Sequence, residues 1–144
     1  MRSKRLGDDE GRYLLVFDKG DEAVASLLEF ARQAQVTAAS FTGIGAFSGV
    51  TLGFFERERK DYKRIALNEQ VEVLTLSGDI AVKNAEPQVH AHVVVGKPDG
   101  SAWGGHLLAG YVWPTLELVL VESPIELRRT VDEETGLPLI TLVE

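Results

Sequence analysis

The chain is 144 residues long, the size of one domain built around a single core. It contains no cysteine, which excludes disulfides, thiolate metal sites and a cysteine nucleophile. Fifteen basic against twenty-two acidic residues leave a net charge of −7, which argues against charge-driven binding to DNA or anionic membranes.

Residues 1–11 read as a flexible polar tail and 12–144 as a single domain. Arg2, Lys4 and Arg5 are followed by Asp8, Asp9 and Glu10, where a targeting signal would have an apolar stretch. With no apolar run near the roughly 18 residues of a membrane span, the expected location is cytoplasmic, away from membranes. Arg12–Asp18 (RYLLVFD) is a β-rich segment ended by Lys19-Gly20. Asp21 is a candidate helix cap, and Glu22 falls in the first turn, where a negative charge suits the helix dipole. The spacing of Val24, Leu27, Leu28, Ala31 and Ala34 predicts a helix over about 21–35 with one apolar stripe.

The remainder reads as strands. Residues 37–47 and 50–55 are two of them, punctuated by glycine, and 56–64 is a charged connection carrying Tyr62. Residues 71–77 alternate, 89–95 and 102–108 flank a turn, and 115–121 and 137–143 complete the set. One early helix and about eight strands predict an α+β fold with a largely antiparallel sheet.

The three histidines, His90, His92 and His106, fall in one short window. His90 and His92 share a strand face. Lys97-Pro98-Asp99-Gly100-Ser101 has the chemistry of a three-residue hairpin loop with a glycine bulge. Pairing Lys97 with Ser101 and following the ladder sets His92 opposite His106, with Cβ atoms about 4.5–5.5 Å apart. Three imidazoles on one face suit zinc or another divalent transition metal. The bland alternative is three ordinary histidines on a polar face. A bulge at Gly104-Gly105 would turn His106 to the other face.

Glu72 and Glu117 interrupt apolar strands and are candidates to orient the histidines or to act as general base. Tyr62, the arginines of 57–64, Trp103, Gly104 and Gly105 are further candidates for ligand contact. Thr42-Gly43-Ile44-Gly45 lacks the lysine of a phosphate loop. Its glycines read as close strand packing.

In order along the chain, Phe41-Thr42-Gly43-Ile44-Gly45-Ala46, Gln70-Val71-Glu72-Val73-Leu74 with Leu76-Ser77-Gly78, His90-Ala91-His92, Gly104-Gly105-His106-Leu107 and Thr115-Leu116-Glu117 resemble the motifs of the plants-and-prokaryotes conserved (PPC) domain. The resemblance covers roughly residues 12–123. It implies a trimer-forming α+β subunit, a stand-alone prokaryotic member, and a three-histidine metal site on His90, His92 and His106. Plant members of the family join this domain to AT-hooks and act in transcription. Here Arg2-Ser3-Lys4-Arg5 is no AT-hook core, and Gln70-Val71 replaces the Arg-Phe of the plant motif.

Two functions follow. The first is a homotrimeric regulatory or binding module with a zinc site, an unknown protein or small-molecule partner, and a family-level link to DNA rather than direct contact. The second is a zinc-dependent enzyme directing metal-activated water at a small anionic substrate, with Glu72 or Glu117 as base.

Overall fold

The computed structural model describes residues 1–7 and 11–142. Among these, nine strands and one helix follow one another as β1 (Arg2–Arg5), β2 (Arg12–Phe17), α1 (Ala23–Gln33), β3 (Ala39–Glu56), β4 (Asp61–Leu67), β5 (Val71–Lys83), β6 (Glu86–Gly96), β7 (Ala102–Glu122), β8 (Arg128–Val131) and β9 (Pro138–Thr141). The predicted α+β class holds. The sheet is antiparallel except where β5 meets β8 in parallel at Val82 and Arg128, so it is mixed rather than purely antiparallel.

The helix starts later than expected. Glu22, not Asp21, is its N-cap, accepting hydrogen bonds from the amides of Val24 and Ala25 at 3.2 and 2.7 Å. Asp21 instead accepts from the amide of Asp18 and pairs with the N-terminal ammonium. Glu22 also accepts from the amide of Gly110 on β7 at 3.0 Å, so one carboxylate caps the helix and ties it to the sheet. The buried helix residues are Ala23, Leu27, Phe30 and Ala31. Val24, Leu28 and Ala34 are only half-buried, so the apolar stripe is rotated from its expected position.

Two long strands form the frame. The predicted segments 37–47 and 50–55 are one strand, β3, and 102–108 and 115–121 are one strand, β7. Their glycines bend the ladder through bulges rather than ending it, with register shifts at Gly43–Gly45 and around Gly49. β3 pairs with β5 and β7, and β6 pairs with both β5 and β7. These four strands therefore close a circuit around Phe47, Leu52, Leu76, Val93 and Leu107, all buried. Arg2–Arg5 is no loose tail: as β1 it pairs with Tyr13–Val16 of β2. The supposed connection 56–64 contains the start of β4, which pairs along β3 from Val50 to Glu56. β8 was not expected, and β9 begins one residue later than its predicted strand, whose last residue, Val143, lies outside the described residues.

Candidate metal centre

The hairpin between β6 and β7 turns as its sequence dictates. The Lys97 amide donates to the Ser101 carbonyl and the Gly100 amide to the Lys97 carbonyl, both at 2.9 Å. Gly100 takes φ +81°, the left-handed conformation that glycine tolerates. The register then runs without a bulge from Gly96↔Ala102 to His92↔His106. Gly104 and Gly105 hold this register rather than breaking it. A Cβ on Gly105 would stand 2.7 Å from the carbonyl oxygen of Gly53 on β3, so only glycine lets β7 pass that close.

The three rings meet as a result. His90 and His92 approach to 3.2 Å between their Nε2 atoms. His106 stacks on His90 at 5.2 Å between centroids and faces His92 edge-on at 5.5 Å. One nitrogen from each ring lies within 4.8 Å of the others. Tetrahedral zinc needs about 3.3 Å between ligand nitrogens, a closure within reach of side-chain rotation. The Nδ1 of His106 is buried and has no hydrogen-bond partner among the described residues, a cost that coordination or a bound water would relieve. Burial, then the neighbouring His90 and His92, lowers the His106 pKa to about 4. Burial and then His90 lower that of His92. Both rings are therefore held neutral, the form that ligates metal. The donor set fits zinc or a similar divalent ion.

Two residues beside this trio were not legible from sequence motifs. Asp79 stands opposite His90 in the β5–β6 ladder, its carboxylate 3.7 Å from the His90 Nδ1. The same carboxylate pairs with the guanidinium of Arg129 on β8, which is only 8% exposed and also donates to the Pro138 carbonyl. Burial alone would raise the Asp79 pKa, but the nearby His90 and the paired Arg129 guanidinium outweigh it and lower it below the usual carboxylate range. A carboxylate fixed behind a histidine orients its ring and strengthens it as a ligand. One signal could have found Asp79. Lys83-Asn84-Ala85-Glu86 is a two-residue turn with both central residues at positive φ, and counting back from it pairs 79 with 90.

Tyr62 is brought to the site: its ring stacks on His106 at 4.7 Å, and burial raises its pKa. Glu72 and Glu117 are not. They are exposed and line a separate concavity with Ile44, Leu74 and Pro114. On β5, Glu72 lies five residues from Ser77, the partner of His92, about 16 Å along the strand. Both glutamates follow the alternation of an exposed strand face. Trp103 pairs with Val95 and points to the other face from His106, with the Lys97 ammonium 5.5 Å over its ring. Arg57 and Arg59 pair with Glu134 and Glu56.

A cleft of about 480 Å³ opens beside the trio, between Val24, Leu28 and Arg32 of α1, residues 86–90 of β6 and residues 137–139. His90, His106, Tyr62 and Arg129 line it as well.

Comparisons with known proteins agree with this architecture. A solved candidate DNA-binding protein of Bacteroides thetaiotaomicron superposes with a TM-score of 0.91 at 30% identity, covering 97% of this chain and 96% of the other. A plant- and prokaryote-conserved (PPC) protein of Pyrococcus horikoshii gives 0.87 at 32% identity, with 92% of each chain covered. A metal-containing protein of Archaeoglobus fulgidus gives 0.84 at 34%, covering 96% of this chain and 100% of that one. The chain is also 35% identical over 121 residues to the bifunctional protein GlmU of Synechococcus, which covers 81% of this chain but 18% of that relative. The chain thus spans about a fifth of the length of the curated relatives it matches. The Plants and Prokaryotes Conserved (PCC) domain, the PPC family of the sequence motifs, matches residues 5–124, and the chain belongs to that family.

Proposed function

We propose that the chain is a homotrimeric binding module of the cytoplasm that carries one zinc ion, or another divalent transition metal, on His90, His92 and His106. The observation behind this reading is the convergence of three imidazoles on one hairpin, two of them held neutral. The metal content of the Archaeoglobus relative agrees with it. Assembly is supported by the outer sheet face, where Ile44, Leu74, Val94, Val119 and Val121 are exposed, with Glu72 and Glu117 beside Ile44 and Leu74. Apolar faces of this kind mark protein contacts. The DNA-binding description of one neighbour transfers as a regulatory link. Direct contact with DNA is disfavoured by the net charge of −7. Relatives in which the matching region is a fifth of a longer protein suit a module that serves other activities.

Metal content of untagged protein, measured by mass spectrometry, tests the site. About one zinc per chain is expected, falling to background in the His90→Ala/His92→Ala/His106→Ala variant. No metal in either protein overturns the metal reading.

The cleft beside the trio favours a second reading, a metal-dependent hydrolase. A zinc held by His90, His92 and His106 would supply a bound water with a pKa lowered to about 7. Asp79, rather than Glu72 or Glu117, is the carboxylate close to the histidines, and Tyr62 stacks over one of them.

A further inference from the structure

We infer that the cleft between α1 and β9 is the ligand site of this module, and that its ligand is a small organic monocarboxylate with an apolar body. The inference rests on the metal-site reading above and assigns it a class of ligand. The size is that of a small-molecule pocket. Val24 and Leu28 of the helix, Val89, and Leu137 and Leu139 of the last hairpin give it an apolar lining. His90, His106 and the buried Arg129, grouped around Asp79, form its polar end.

The charge at that end selects the ligand. Asp79 balances Arg129, so a divalent metal on neutral histidines leaves an excess of positive charge, which calls for an anion. The Arg129 Nε is buried without a partner among the described residues, while its other nitrogens are engaged by Asp79 and Pro138. Arg129 lines the cleft, and a carboxylate bound there would give its under-partnered guanidinium a further acceptor once the side chain turns toward it. At the outer rim Arg32 is paired with Glu86 at 3.4 Å, so the mouth has no excess charge to hold a second anionic group. The site thus takes one anionic head inside and an uncharged body behind it.

Isothermal titration of zinc-loaded and metal-free protein with acetate and with hexanoate tests this. Each added methylene can tighten binding by up to about fourfold. Hexanoate is expected to bind at least about tenfold tighter than acetate. Leu28→Trp, which fills the cleft from the helix, is expected to remove that gain without lowering zinc content. Leu139→Trp fills the same cleft from the last hairpin and serves if the helix variant does not fold. Equal affinity for the two acids, or hexanoate affinity unchanged in a folded tryptophan variant, overturns the proposal. Failure of the metal reading shows separately, as protein isolated without zinc. In that case a chain-length preference in the metal-free titration still supports the cleft, and its absence from both forms overturns it.

Discussion

Asp79 serves two partners at once, and its loss is expected to be felt by both. Asp79→Ala leaves the Arg129 guanidinium buried with its charge uncompensated. Breaking a fully buried pair costs about 3–5 kcal/mol; because Asp79 keeps part of its exposure, about 2–3 kcal/mol is expected, read from denaturant midpoints. The same variant frees the His90 ring, so zinc affinity should fall about 10–100-fold, measured by chelator competition. If stability drops while zinc affinity holds, Asp79 is a structural partner of Arg129 alone. The histidines give the metal-free protein an acid sensitivity. A histidine whose folded pKa lies below 6.5 takes up its proton more readily when unfolded, so stability rises with pH across that interval. His106, lowered to about 4, and His92, lowered as well, add nothing above pH 6.5 and cost stability increasingly as pH falls toward 4. The depressed Asp79 acts in the same direction at lower pH still. Melting temperatures of metal-free protein should therefore be flat from pH 8 to about 6.5 and decline below it, and His106→Ala should shallow that decline.

At the scale of elements, the turn between β6 and β7 and the cap of α1 bear most directly on the site. Gly100→Ala forces a Cβ into a left-handed residue and is expected to cost about 1 kcal/mol while leaving zinc stoichiometry intact, since the ladder above the turn is unchanged. Gly105→Ala should cost more and lower zinc occupancy, because the added methyl meets the β3 backbone beside His106. Thermal melts with metal analysis of both variants separate the two effects. Glu22→Ala loses the helix cap and the bond to Gly110, about 1–2 kcal/mol. The His92–His106 pairing was legible because it depends only on a five-residue turn and a period of two. The stripe on α1 was legible in kind but not in angle, since propensity does not say which side of a helix meets the sheet. The continuity of β3 and β7 was hidden because glycine marks turns and bulges alike, and only the partner strands decide between them. Arg129 carried no signal at all: it enters the site through the single parallel pairing of β8 with β5, a tertiary event with no local trace.

At the scale of the whole molecule, assembly is the property most open to test. Light scattering on the eluting protein should give a mass about three times 15.8 kDa. Ile44→Glu, a charge placed on the exposed outer face, should shift it toward the monomer without loss of secondary structure. A trimer that survives this change would place the interface elsewhere. All three histidines belong to one hairpin, within residues 90–106. A bound ion would therefore bridge chain segments that the ladder already holds together, and it would close no long loop. In this it differs from small domains that fold only around their metal. The expected result is a protein whose overall architecture survives chelation, with protection from hydrogen exchange weakened only along the hairpin. An ion held this way can be loaded, surrendered and reloaded by a folded protein.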